Sequence, residues 1–375
     1  MNGGAVVRPV ESAADLNRFI AFPYELHRRD PIWVPTLRMD VRKMLSRSKN
    51  PFFQHAEAQY FTAHRNQGGK EVIGRIAAIH NHAHNDFHGD KVGFWGFFES
   101  VNEQPVADAL FSRAADWLSH RGLTVMRGPA SFSTNDECGL LVEGFETPPT
   151  VLNPHNPPYY VDLVERAGFE KAKDLLQYQT VDPQLPDRLL DRVRRITERK
   201  NITLRSLDMK RYNEEVERIK QIYNRAWDAN WGFVPMTDAE IDHLAKDMKP
   251  VVVPELVIFA ERGDEPIGFA VVLPDFNVAL KKNPSGRLFP GIIKILRAKR
   301  EITRIRILLL GLIEEYRKTG ADVLMYHWIW EKGYALGYRW AEAGWILEEN
   351  SAMNNGLVRL GFEPYKKLRM YDRRL

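Results

Sequence analysis

One feature restricts the fold of this chain more than any other: it reads as two copies of one unit. Arg8-Pro9-Val10 matches Arg205-Ser206-Leu207, Val72-Ile73-Gly74 matches Pro266-Ile267-Gly268, and Gly168-Phe169-Glu170 matches Gly361-Phe362-Glu363, at offsets of 197, 194 and 193 positions. Three anchors at nearly one offset mark a duplicated unit. The third anchor alone would not, because a helix closed by Gly-Phe is a common ending. A length of 375 residues allows two or three domains and a sizeable core.

Periodicity fills in each copy. In the first, a strand at 6–10 precedes a helix capped by Ser12 with Asp15 three residues on, carrying Leu16, Phe19, Ile20 and Tyr24 at helical spacing. Strands at 58–63 and 72–79 pair across the turn Asn66-Gln67-Gly68-Gly69. A strand at 92–98, an amphipathic helix at 102–120 and a strand at 124–127 follow. Residues 128–154 show no period, and a loop that long inside a compact unit is usually functional. A helix from Asn156-Pro157-Pro158 to Gly168 and a strand at 175–180 close the copy. A basic helix at 187–200 connects the halves. The second copy reads as a strand at 202–207, helices at 212–227 and 238–248, and strands at 257–260 and 267–273. It continues with an apolar run at 307–313, a helical pattern from Val323, a strand at 345–347, and a helix capped by Asn350 and ended at Leu360-Gly361-Phe362. The expected domains are 1–182, a connector at 183–201, and 202–375 with an insertion at 274–303.

Composition excludes several classes. The apolar share of 44% argues against long disorder. The single Cys138 rules out an intrachain disulfide and fits a reducing compartment. The first dozen residues have no apolar core of a signal peptide, and no apolar run approaches the ~20 residues of a membrane span. The formal charge of +4 is mild, so a basic partner surface must be local.

The chemistry-bearing stretch is 307–362. An apolar strand leads into Arg317-Lys318-Thr319-Gly320-Ala321-Asp322 and then a helix. Such a loop turns successive backbone N–H groups toward one point, where the helix dipole also favours anions, and so can cradle a pyrophosphate. An ordinary strand-to-helix turn with a solvated Arg-Lys pair is the alternative. The loop resembles the (Gln/Arg)-x-x-Gly-x-(Gly/Ala) motif of the GNAT acyltransferase family. Asn350 through Leu360-Gly361-Phe362 resembles that family's second acyl-CoA segment. The wordings Ser133-Thr134-Asn135-Asp136-Glu137-Cys138-Gly139, Asn230-Trp231-Gly232-Phe233-Val234-Pro235 and Trp345-Ile346-Leu347-Glu348-Glu349-Asn350 resemble one bacterial subgroup of about this length, and within it the ceramide synthases. The resemblance implies an α/β (α+β) fold of two tandem GNAT units with mixed, largely antiparallel sheets. It also implies acyl-CoA as co-substrate, held by Leu312, Ile313, Arg317, Lys318, Thr319, Gly320, Ala321, Asp322 and Asn350. Two departures stand out: Asp322 replaces a usual Gly or Ala, and Leu357 replaces the tyrosine that commonly protonates the leaving thiolate. The first copy has no such loop at 99–106, so coenzyme A is expected in the second copy only.

The second substrate is read from the insertion. Lys281, Lys282, Arg287, Lys294, Arg297, Lys299 and Arg300 interleave with Phe289, Ile292, Ile293 and Leu296. A helix from Pro290 with Ile292, Ile293 and Leu296 on one face suits an anionic membrane surface or a lid over a long acyl chain. A solvated basic helix packed on the core remains an alternative. Nucleic acid is not expected, since Phe289 is the only ring interleaved with the cations from Lys281 to Arg300. The expected membrane contacts are Lys281, Lys282, Phe289, Ile292, Ile293, Leu296 and Arg297. His80, His82, His84 and His88 suggest a metal, but no cysteine and only Asp86 accompanies them, and no metal is expected. Catalytic candidates are Asp275 and Glu348, each of which also reads as an ordinary solvated carboxylate. The backbone amide near Leu312 could polarise the thioester carbonyl. Asp136 and Glu137 are placed at the amine head group, with Trp231 as a further substrate contact. The expected activity is transfer of a long-chain acyl group from acyl-CoA to the amine of a sphingoid base, sphinganine or its 3-oxo form. The expected location is cytoplasmic, peripheral on the inner face of the inner membrane. The alternatives are a Fem-type aminoacyl transferase using tRNA and a non-catalytic acyl-CoA or lipid sensor.

Overall fold

The computed structural model describes residues 5–66, 69–181, 183, 186–227 and 230–375. The central Gln67 and Gly68 of the predicted turn, and Asp182 at the expected domain limit, lie outside the described residues. The chain falls into two compact units. One comprises Met1–Leu175, Asn277–Arg300 and Lys366–Leu375; the other comprises Leu176–Phe276 and Glu301–Tyr365.

In the first unit the strands Val6–Pro9, Ala56–His64, Val72–Asn81 and Val92–Ser100 pair antiparallel in chain order. Val125–Gly128 then joins Val92–Ser100 in parallel, and Tyr371–Arg374 at the chain end pair antiparallel with Val125–Gly128. A parallel neighbour requires a crossover, and the helix Gln104–Ser119 provides it. Its apolar stripe of Val106, Leu110, Ala114 and Leu118 is fully buried with Trp95, Phe111 and Phe169. Truncating Leu110 to alanine there would cost about 2–5 kcal/mol. The predicted capping box is present: Ser12 Oγ accepts from Asp15 N and the Asp15 carboxylate accepts from Ser12 N.

The second unit repeats this order. Ile202–Ser206, Val257–Arg262, Glu265–Pro274 and Arg304–Leu312 pair antiparallel in sequence, and Trp340–Leu347 joins Arg304–Leu312 in parallel after the helix Ala321–Ala335. The core is Ile258, Phe259, Ile267, Phe269, Val272, Met325 and Ile329. Each unit is thus a mixed, largely antiparallel sheet with helices, as the resemblance implies.

The structure departs from the sequence reading at several points. The aperiodic stretch at 128–154 contains short strands: Ala130–Ser131 pairs with Glu137–Cys138, and Leu140–Glu143 with residues of Glu363–Arg374. Two-residue strands have no period to detect. The strand read at 345–347 begins at Trp340, because its first residues alternate with Ala341 and Ala343 rather than with large apolar side chains. The histidine-rich connection is the short helix His82–His88, with Asn81 accepting from His84 N and Gly89 ending it at φ 66°.

Candidate active site

The second unit carries an opening in its sheet. Arg304–Leu312 and Trp340–Leu347 are paired from Arg304↔Trp340 to Ile307↔Ala343, and beyond that register they part. On its other edge Arg304–Leu312 stays paired with Glu265–Pro274 as far as Leu312↔Gly268. The divergence uncovers apolar residues. Ile305 to Ile307 are buried, whereas Leu308, Leu309, Leu310 and Gly311 are half-buried, as are Gly344, Trp345 and Ile346 facing them. Two diverging strands leave backbone groups aimed into the gap. Ile313 N donates to Ile267 O at 2.9 Å. Backbone direction alternates along a strand, so the Leu312 amide points the other way, toward the gap. The Ile313 amide is therefore occupied, while that of Leu312 is directed at the opening.

The loop that follows is held by its own side chains. Arg317 Nε donates to Leu312 O at 3.3 Å and Arg317 Nη2 to Ala226 O at 2.8 Å. Thr319 Oγ donates to Tyr316 O at 2.7 Å and accepts from Ala321 N at 3.3 Å. Gly320 is the N-cap of Ala321–Ala335 at φ 82°, and a Cβ there would lie 2.8 Å from Val193 Cγ1. Both facts require glycine. Burial raises the Asp322 carboxyl above the usual carboxylate range, against the Val323 and Asp322 amides that hydrogen-bond it. Asp322 thus competes with an incoming anion for the first amides of the helix, less so when protonated. Lys318 is exposed beside them. Asn350 caps Ser351–Arg359 by accepting from Met353 N at 3.2 Å, as read from the sequence. Leu357 is buried in the core.

A charged cluster missed by sequence reasoning closes the base of the opening. Arg306 and Glu342 are register partners one residue before the strands part, at 2% and 0% exposure. Arg306 Nε is 3.6 Å from Glu342 Oε1, and Arg306 Nη2 donates to Gly344 O at 3.0 Å. The Tyr365 hydroxyl donates to Glu342 Oε2. Burial first, and then the Glu342 charge, push the Tyr365 phenol well above its ordinary value, so it stays protonated. The available signal was Arg304 and Arg306 alternating through an apolar strand. Glu342 was hidden because its strand was not recognised.

The two carboxylates proposed from sequence do not meet. Asp275 is buried at the paired end, with its amide on Arg304 O at 2.9 Å and Oδ2 3.5 Å from Arg304 Nε. Glu348 is exposed just past Leu347, at the open end of the other strand. Trp231 is half-buried in the second unit. In the first unit, Asp136 Oδ2 accepts from Phe132 N and Ser133 N, each at 3.2 Å, and so holds its own turn, while Glu137 pairs with Ser131.

The equivalent gap of the first unit is filled. Pairing runs from Val92↔Val125 to Phe94↔Arg127, and then the segment at 130–132 enters. A Cβ on Gly96 would lie 2.0 Å from Ala130 O, and Phe97 N donates to Ser131 Oγ at 3.1 Å. The Phe132 ring packs on Phe52, Phe53 and Phe97 at centroid distances of 5.0, 5.2 and 5.0 Å. Nearby, Glu99 Oε2 lies 2.7 Å from both His27 Nε2 and the Tyr160 hydroxyl, and Asp30 Oδ2 lies 2.8 Å from His155 Nε2. Burial opposes ionisation of Glu99, but His27, Arg75 and Tyr160 outweigh it and hold its carboxyl below the usual range. Burial depresses His155 more than Asp30 raises it. Among the described residues, Glu57, His80 and His82 bring ligand atoms within 4.8 Å of one another. Arg121 lies on the same Glu57 carboxylate at 3.2 Å, a fixed charge that a cation would have to displace.

Comparisons with known proteins agree with this geometry. No family model matches the chain. It is 38% identical over 383 residues to the bacterial ceramide synthase of Caulobacter vibrioides, covering 100% of this chain and 98% of that protein. It is 35% identical over 386 residues to protein YghO of Escherichia coli, covering 99% and 95%. Among solved structures, a tandem GNAT protein from the clavulanic acid biosynthesis pathway superposes with a TM-score of 0.58 at 12% identity, over 99% of this chain and 98% of that one. A GCN5-related N-acetyltransferase from Sphaerobacter thermophilus gives 0.52 at 12% identity, over 99% and 95%. These two show the fold.

Proposed function

The chain belongs to the bacterial ceramide synthase family, tandem GNAT-fold acyl-CoA-dependent N-acyltransferases, and on that premise we propose that it moves a long-chain acyl group to the amine of a sphingoid base, sphinganine or 3-oxosphinganine. The observation that carries the reading is the parting of Arg304–Leu312 and Trp340–Leu347 beyond Ile307 and Ala343. An extended carrier can lie along such a free strand edge as an added strand would, between half-buried apolar walls.

In this reading the pantetheine arm of the acyl-CoA co-substrate runs along the free edge of residues 308–312. Its pyrophosphate meets Lys318, Thr319 and the Gly320–Ala321 helix start, with Arg317 bracing the loop and Asn350 holding the neighbouring helix. The Leu312 amide polarises the thioester carbonyl. The amine nitrogen attacks that carbon, the carbon–sulfur bond breaks, and the proton lost from nitrogen passes to the thiolate or to solvent. Glu348, at the open end, is proposed to accept it first and pass it on. Asp275, at the paired end, braces Arg304. Trp231, in the same unit as the opening, is proposed as an acceptor contact. With Leu357 in the core, no tyrosine at that position protonates the thiolate, and alignment and desolvation of the amine supply most of the acceleration.

Among the described residues no helix is long and apolar enough to cross a membrane. Delivery of two lipid substrates is proposed to occur at the cytoplasmic face of the inner membrane, through Lys281, Lys282, Phe289, Ile292, Ile293, Leu296 and Arg297. Purified protein with palmitoyl-CoA and sphinganine should release coenzyme A thiol and form an N-acyl product. Tight palmitoyl-CoA binding without product would replace transfer by sensing, and activity that requires tRNA would replace the acyl donor.

A further inference from the structure

We infer that the first unit carries a docking site for the phosphate head group of an anionic phospholipid, formed by a basic cleft beside the helix Leu288–Ala298. The inference rests on the membrane contact proposed above and names what that contact recognises. The cleft has a volume of about 1140 Å³, and its cationic wall is Arg38, Arg42, Lys43, Arg47, Lys49 and Arg287. Among the described residues of the lining, only Glu11 and Asp40 oppose them. Three of the guanidiniums are positioned by neutral oxygens rather than by carboxylates. Arg38 Nε donates to Ser285 O at 2.9 Å, Arg42 Nη2 to Asn17 Oδ1, and Arg47 Nη2 to Ala58 O at 2.9 Å. A guanidinium held by a carbonyl keeps its full charge and its remaining N–H donors for an anion.

The insertion forms one wall of the cleft and then continues as the apolar edge. Gly286, Arg287 and Leu288 line it. Gly286 O accepts from Arg38 N at 2.8 Å, and a Cβ on Gly286 would lie 2.2 Å from the Tyr24 ring, so the strap is seated closely on its own unit. From there the chain enters Leu288–Ala298, where Phe289, Ile293 and Leu296 are 75%, 54% and 60% exposed. Met39, also exposed, lies on the lining of the same cleft. Ile292 and Ile295 are half-buried, so the outward stripe is Phe289–Ile293–Leu296 rather than the Ile292–Ile293–Leu296 face expected from sequence.

Charge decides among occupants. A second copy docking through this face would set Lys294, Arg297 and the cleft cations against their own equivalents. A nucleic acid would match the charge but leave an aliphatic stripe in water, with a single ring to stack on. An anionic bilayer satisfies both features, since lipid phosphates meet the cations while Phe289, Ile293 and Leu296 enter the acyl boundary.

The test uses the full chain and vesicles of phosphatidylcholine alone or mixed with phosphatidylglycerol. We expect sedimentation with the mixed vesicles only, weakening as salt rises. Arg42→Glu with Lys49→Glu should weaken vesicle binding at least tenfold, and Phe289→Ser with Leu296→Ser comparably, with unchanged thermal melts. Cys138 is buried, so Phe289→Cys can be labelled selectively with an environment-sensitive dye, whose emission should shift to the blue on mixed vesicles. Equal binding to neutral vesicles, indifference to both double variants, a dimer that the stripe substitutions dissolve, or nuclease-sensitive retention of RNA would each overturn the inference. Displacement from vesicles by inorganic phosphate at low concentration would also overturn it, by showing a soluble phosphate site. Binding is read without turnover, so failure here leaves acyl transfer standing, and failure of transfer leaves this result intact.

Discussion

The two units share a strand order and differ in one place. Each has an antiparallel run of four strands followed by a parallel fifth after a helix, and in each the parallel pair separates after a few residues. In the second unit the separation stays open, with half-buried leucines along it and a glycine-capped helix beyond. In the first, Ala130, Ser131 and Phe132 enter the gap and an aromatic cluster seals it, while half-buried carboxylates beside it pair with buried histidines. One topology therefore does not carry one function. The gap is a by-product of how a parallel strand is joined, and side chains arriving from elsewhere decide whether it becomes a site.

The sharpest way to break the comparison is to remove the acid beside the gap of each unit. Glu342→Ala leaves Arg306 buried beside the opening, and Glu99→Ala leaves Arg75 and His27 buried beside the plug. Each should cost about 3–5 kcal/mol, read as a lowered urea midpoint. Only Glu342→Ala should also abolish palmitoyl-CoA binding in calorimetry. Loss of that binding in Glu99→Ala would show that the carrier does not reside in the second unit alone.

Acid should affect the first unit before the second. Burial, helped by His88, depresses His84 to about 3, and burial also depresses His64, His80 and His155; all four lie in the first unit. A histidine whose folded pKa lies below its unfolded value loses stability as pH falls, because the unfolded chain takes up the proton first. For His84 alone the loss is about 2.5 kcal/mol at pH 4.5, with little effect above pH 7. Urea midpoints at the two pH values should show it, and His84→Gln should reduce the slope. An unchanged slope would mean that this imidazole is hydrated.

Smaller effects probe the loop and the controls. Gly320→Val places a branched side chain at φ 82° against Val193. The strain of about 1–3 kcal/mol should appear mainly as a raised KM for acyl-CoA. A fall in kcat alone would remove the loop from carrier binding. Ser12→Ala and Thr237→Ala each remove a capping box, one per unit, and each should cost about 1 kcal/mol with no change in transfer. These serve as the baseline for folding effects unconnected with the opening.

Local signals were legible in the sequence. Helices Tyr212–Trp227 and Asp238–Met248 fall at the residues their periodicity indicates, and Ser12 and Asn350 cap as their types suggest. The duplicated order was legible because its anchors are local patterns repeated at one offset. The parts of the site that were missed depend on distance. Arg306 meets Glu342 across strands separated by a whole crossover helix, and Tyr365 comes from a later strand still. Asp275 and Glu348 looked equivalent as acids at strand ends, yet one is at the paired end and the other at the open end.

The sequence by itself determined that this is a tandem α/β chain, with one strand–loop–helix stretch suited to an anionic carrier and one basic, apolar insertion. Caps, glycines and apolar spacing act over a few residues, so they can be read in order. Only the tertiary structure decided which copy keeps an open sheet, which carboxylates are buried, and that the insertion's strap is seated on the first unit's basic cleft. Those outcomes depend on packing between segments tens to hundreds of residues apart, where burial and charge pairing are settled by what arrives from the rest of the chain.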